Sequence, residues 1–206
     1  MWTTPLLAVA ALATTTLLTA TAAATAPPGA APSTPRPLAR DATSVALTDG
    51  TGDVWVIGPG EDDWDPFGER ATIDTVAGTA RHRARAVTAS LTFLDLRRVQ
   101  SKDFDVRVRT GAGTYRAIVS TDAEHPEGRH RLIDRSESRV ACPGLTHEVD
   151  YGADTVRVRV PRTCLGSPPW VRVALSAYLF RIWDTLSDNP HDDGPEATLT
   201  ERLPHE

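Results

Sequence analysis

The chain has 206 residues, 22 of them basic and 27 acidic, for a formal net charge of −5, and 40% of them are hydrophobic. The acidic excess is local, because residues 184–206 hold seven acidic residues and a single Arg. The remainder is close to neutral, which argues against nucleic acid as a partner, since that asks for a concentrated basic surface.

In chain order, Leu6 to Ala24 is an uncharged stretch of Leu, Ala, Val and Thr ending in small residues. Ala22-Ala23-Ala24 supplies the small side chains that fit the −3 and −1 pockets of a signal peptidase. The expectation is a signal peptide over residues 1–24, with the product secreted and extracellular. A cut after Ala26 would put Pro27 beside the scissile bond. The alternative is an uncleaved anchor, for which the apolar core is diluted with Thr. Residues 25–40 are rich in Pro and Ala and read as a disordered linker, since such a composition buries too little surface to order a chain. Residues 41–183 then form one domain, and 184–206 an acidic flexible tail.

Strand signals fill the domain as short runs alternating between apolar and polar residues. Asp105 to Arg109 and Thr155 to Val160 each send Val to one face and Arg to the other, the pattern of a half-buried antiparallel strand. Further runs lie at Ser44 to Leu47, Val54 to Ile57, Thr72 to Ala80, Ala86 to Leu94, Tyr115 to Ser120, Arg131 to Asp134 and Trp170 to Phe180. Gly111-Ala112-Gly113 reads as a hairpin loop. No run carries a helical stripe. The predicted fold is all-β, an antiparallel two-sheet sandwich of jelly-roll or immunoglobulin-like type, with one disulfide.

Cys142 and Cys164 are the two cysteines of the chain. An even pair in an exported protein is expected to oxidise. The rival reading, half a zinc site, lacks further ligands at suitable spacing.

The order Asp49-x-x-x-Asp53-Val54, Ile73-Asp74 and Leu91-Thr92-Phe93-Leu94-Asp95-Leu96, closed by Val160 to Gly166 and Trp170-Val171-Arg172-Val173, resembles a group of secreted β-sandwich proteins of actinomycetes. The D-x-x-G-D-V opening is more distantly similar to carbohydrate-binding and DOMON-type sandwiches. The resemblance spans Asp49 to Tyr178 and implies the fold rather than a function. The aromatic platform of sugar-binding relatives has no counterpart in this sequence.

Catalytic spacings are missing: there is no G-x-S-x-G elbow, no H-E-x-x-H pair and no Gly-rich phosphate loop. His125 and His130 flank a loop-like stretch and read as solvated. Asp49-Gly50-Thr51-Gly52-Asp53 is the candidate calcium site, since Ca²⁺ takes hard oxygens from a flexible turn; Asp and Gly are equally the residues of an ordinary β-turn. Asp188, Asp192 and Asp193 form a second acidic cluster, read as solvated tail. Trp64 and Phe67, in a stretch of turn residues, are candidate ligand contacts or caps on the sandwich. Trp55, Trp170 and Trp183 are expected in the core or at its edge. Arg107, Arg109, Arg157 and Arg159 would form a basic stripe, suited to anionic cell-wall polymers, if their strands were neighbours; the alternative is cross-strand pairing with acidic residues.

The functional expectation is a non-enzymatic, secreted binding module with no cofactor unless calcium, its partner a cell-envelope polymer or an extracellular protein. Nucleic acid and, after signal cleavage, membrane are not expected partners. The alternatives are an enzyme or enzyme inhibitor with an unrecognised site, and a purely structural extracellular protein.

Overall fold

Alternation becomes register in the computed structural model, which describes residues 43–206 apart from 99, 192 and 193. The expected signal peptide and linker, and Asp192 and Asp193 of the second acidic cluster, lie outside the described residues. Thirteen strands follow in order: β1 (Ser44–Thr48), β2 (Val54–Ile57), β3 (Asp65–Gly68), β4 (Thr75–His82), β5 (Ala86–Phe93), β6 (Ser101–Arg109), β7 (Thr114–Thr121), β8 (Arg129–Asp134), β9 (Thr146–Asp150), β10 (Thr155–Pro161), β11 (Trp170–Phe180), β12 (Thr185–Asp188) and β13 (Leu203–Pro204). One 3-10 turn, Arg162–Leu165, follows β10.

The strands make two antiparallel sheets, as expected. A five-stranded sheet runs β1-β4-β5-β10-β9, and a larger one runs β3-β2-β12-β11-β6-β7-β8 with β13 paired to the start of β11. Inward residues come from every second position. Val87, Leu91 and Phe93 of β5 and Val156, Val158 and Val160 of β10 face Phe104, Val106 and Val108 of β6 and Val173 and Leu175 of β11, all buried. Phe93 and Phe104 meet edge to face across the core at 5.3 Å between centroids. Burying this set supplies most of the stabilisation, at roughly 1.5–3 kcal/mol for each large side chain.

The disulfide forms between Cys142 and Cys164, with Cα atoms 5.4 Å apart. It ties the 3-10 turn after β10 to the segment leading into β9. Among the described residues no helix is long and apolar enough to cross a membrane.

The described residues of 184–206 are not the flexible tail that their composition predicts. β12 joins the larger sheet between β11 and β2, and it covers β11 only from Ala177 to Phe180. The first half of β11 would otherwise present bare backbone donors at an edge. The segment beyond β12 supplies their partners: Leu175 N–H donates to His191 Nε2, Val173 N–H to the Thr200 hydroxyl, and Thr200 N–H to the Val173 carbonyl. Gly78 of β4 permits the close passage of this segment, since a Cβ there would lie 2.6 Å from Pro190 Cγ. His82, fully buried, donates its Nδ1–H to the Leu203 carbonyl at 2.9 Å, and burial lowers its pKa.

One further expectation is corrected. Trp183 is not in the core: it is 76% exposed at the turn between β11 and β12, beside Ile182 at 89%. His130 is exposed, as expected, and its Nδ1 lies 2.7 Å from Nδ1 of His147, whose Nε2–H donates to the Glu127 carbonyl at 2.9 Å. At this contact one ring donates and the other accepts, and burial followed by the neighbouring His147 lowers the His130 pKa. His125 sits apart, 3.3 Å from the Glu127 carboxylate.

Candidate metal centre

The loop between β1 and β2 carries the chain from one sheet to the other within a few residues, so Asp49 and Asp53 end up at the seam. Gly52 makes the reversal with φ of +82°, a conformation that strains side-chain-bearing residues. Its N–H donates to Asp74 Oδ2 at 2.8 Å. Asp49 is anchored by its own N–H to the Val76 carbonyl, at 3.1 Å, and its Oδ1 accepts from Gly50 N–H at 2.9 Å.

Asp188, the last residue of β12, completes the cluster. Carboxylate oxygens of Asp49, Asp53 and Asp188 all lie within 4.8 Å of one another. Asp74, immediately before β4, is fully buried, and Asp188 is 2% exposed. Asp49 and Asp74 adjoin strands of the five-stranded sheet, while Asp53 and Asp188 belong to strands of the larger one, so the four carboxylates bridge the sheets at one edge.

Nothing cationic balances them. Among the described residues no Arg, Lys or His makes an ion pair with any of the four. Asp49 Oδ2, Asp53 Oδ1 and Asp74 Oδ1 are buried with no hydrogen-bond donor. An orphaned buried carboxylate oxygen is costly, and three together are costlier still.

The acidities follow. Asp188 is pushed up to about 7, chiefly by burial, against the two hydrogen bonds from Thr75, with Asp53 and Asp74 adding like-charge repulsion. Asp49 is raised to about 7 by burial, partly offset by the Gly50 amide and raised again by Asp53 and Asp188. Asp74 is raised by burial, against the Gly52 amide, with Asp53 and Glu69 contributing. Burial and repulsion disfavour the charged forms, and a bound cation would reverse both effects.

The sequence-derived pair Asp49 and Asp53 therefore sits in one site, with two partners that sequence reasoning missed. Asp188 was assigned to a solvated tail, and Asp74 stood only as the start of a strand. The one sequence signal for Asp74 is a charged residue directly before the apolar face of β4. The other candidate contacts are not part of this cluster. Trp64 is half-buried just before β3. Phe67 is 39% exposed with the Arg181 guanidinium 5.1 Å from its ring centroid, and Arg181 in turn chelates Asp184. The basic stripe is also divided: Arg107 and Arg109 lie on β6, whereas Arg157 and Arg159 lie on β10 of the other sheet.

Comparison with protein-family models, curated proteins and solved structures returns no match.

Proposed function

We propose that the chain is a non-enzymatic, extracellular binding module whose two sheets are fastened by a calcium ion held by Asp49, Asp53, Asp74 and Asp188. The observation that carries this reading is the convergence of Asp49, Asp53 and Asp188 carboxylate oxygens within 4.8 Å of one another at the junction of the sheets, with Asp74 near enough to add like-charge repulsion and orphaned buried oxygens on Asp49, Asp53 and Asp74. Hard oxygens at Ca–O distances of roughly 2.3–2.6 Å place opposed ligands about 4.6–5.2 Å apart, which suits the observed spacing; the shorter bonds of Mg²⁺ ask for a tighter cage. The disulfide and the apolar N-terminal stretch support the extracellular assignment.

The rival reading takes the raised carboxyl groups as a catalytic acid and base. Glycoside hydrolysis places two carboxyl groups on either side of a sugar in a cleft. Here Asp74 and Asp188 are buried, and oxygens of Asp49, Asp53 and Asp188 lie within 4.8 Å of one another, too close to flank a sugar ring.

The test is calorimetric titration of the chelator-treated protein with CaCl₂ and MgCl₂, paired with thermal unfolding. One calcium bound per chain, a raised midpoint and weaker binding of magnesium are expected. No heat and no shift with either ion would overturn the reading.

A further inference from the structure

We propose that the outer face of the five-stranded sheet is a docking groove for an anionic polysaccharide. The face is built by register. Arg81 and Arg159 both stand opposite Thr88, and Arg159 stands opposite Thr146, so one row across the sheet reads Arg81, Thr88, Arg159, Thr146. The next row reads Thr79, Ser90, Arg157, Glu148. All of these side chains point away from the core, because Ala80, Ala89, Val158 and their neighbours fill the opposite face. Arg83 and Arg85, in the turn after β4, extend the basic surface past the first row. The resulting open depression has a volume of about 890 Å³.

The charge of this face is unbalanced. Arg81, Arg83, Arg85, Arg157 and Arg159 are all exposed. Glu148 approaches Arg157 at 3.6 Å with both side chains largely in water, a pair that contributes little. Among the described residues Arg81, Arg83, Arg85 and Arg159 make no ion pair. The larger sheet is different, since on its outer face Arg116 pairs with the buried Asp105 at 2.5 Å and Arg131 with Asp103 at 3.2 Å. Among the described residues, cross-strand neutralisation on the five-stranded sheet is thus confined to the exposed Arg157–Glu148 pair. On a chain whose net charge is −5, a face of five arginines is a local field that attracts polyanions.

The chemistry between the arginines narrows the class. Thr79, Thr88, Ser90, Thr92 and Thr146 line the groove with hydroxyls that donate to and accept from sugar hydroxyls, while guanidinium groups about two strand spacings apart, ~10 Å, meet successive anionic groups along a chain. No aromatic side chain other than the His147 imidazole lines the groove, so nucleobases have little to stack upon. Its Arg81, Arg83 and Arg85 lie at the opposite end of β4 from Asp74, and none of the four aspartates lines the groove, so it stands independently of the calcium site.

The test is binding of the whole protein to immobilised polygalacturonate, heparin and a polyol phosphate, with dextran and single-stranded DNA as comparisons, for wild type, Arg81→Ser/Arg159→Ser and Arg107→Ser/Arg109→Ser. The expected result is retention on at least one anionic polysaccharide that falls about tenfold in the first variant and with rising salt, and is unchanged in the second. Equal melting temperatures of the variants keep the comparison to the surface. Retention on none of the anionic glycans, equal loss in both variants, equal binding to dextran, or tighter binding to DNA would each overturn the proposal.

Discussion

Thr75 gives two hydrogen bonds to a single oxygen of Asp188, from its amide N–H at 2.5 Å and its hydroxyl at 2.8 Å. Thr75 opens β4 and Asp188 closes β12, so the contact joins the two sheets across 113 positions of sequence. Both donors satisfy the same lone-pair region, which fixes the carboxylate and leaves its other oxygen to share space with Asp49 and Asp53.

Asp188→Asn keeps an oxygen for Thr75 and removes one negative charge. The metal-free variant should melt higher than wild type at pH 8, and the calcium-induced rise should vanish. For wild type at a hundred times the dissociation constant that rise is about 5–10 °C, from ~2.7 kcal/mol of linkage. Asp188→Ala strands both Thr75 donors and should cost about 1–3 kcal/mol. Thermal unfolding with and without CaCl₂ measures all three.

The acidity of the cluster fixes the sign of a pH effect. Asp49 and Asp188 titrate near 3.8 when unfolded and are raised to about 7 in the fold, so between those values the native state binds more protons. Stability contributed by these groups is complete below about pH 4 and is lost as the pH rises through 7. The metal-free protein should therefore melt lower at pH 8 than at pH 5. Calcium competes with the same protons, and its stabilising effect should be small at pH 5 and large at pH 8. A pH series of melting temperatures with chelator and with CaCl₂ reads both trends.

Replacing both Cys142 and Cys164 by Ser should lower stability by about 3 kcal/mol, the closure entropy of a loop of this length, read as a shifted denaturation midpoint. Intact mass with and without reductant should differ by two hydrogens.

Gly78→Ala would place a methyl 2.6 Å from Pro190 Cγ and 2.9 Å from Leu175 Cδ1. The segment after β12 must move or the core must open, at a cost of about 1–3 kcal/mol. Gly113→Ala, with nothing within 4 Å of the new atom, should be near neutral. Chemical denaturation of the two variants distinguishes them.

Most strands were readable because one face is wet. β5 and β10 alternate visibly, since Val or Leu must point inward wherever Thr, Ser or Arg points out. β3, β9 and β12 were not readable, each for its own reason. Pro66 and Gly68 disguise β3 as a turn, His147-Glu148 in β9 looks like a fragment of a catalytic motif, and Thr185–Asp188 is short and set among acidic residues. Composition misjudged the described residues of 184–206 because their order comes from filling the bare edge of β11, a tertiary demand that leaves no periodic trace. The same holds for the metal centre. A local spacing gave Asp49 and Asp53, but Asp74 and Asp188 reach them only through strand pairing and sheet packing. The arginine stripe failed for a related reason, since alternation reveals which face a residue occupies and not which sheet.

Because its ligands run from position 49 to position 188, the aspartate cluster exists only once the sandwich is complete. A half-folded chain offers a cation scattered single carboxylates, so the free energy of binding accrues to the finished structure alone. On the calcium reading proposed above, added ion would therefore raise the stability of the completed sandwich without favouring any partly folded form.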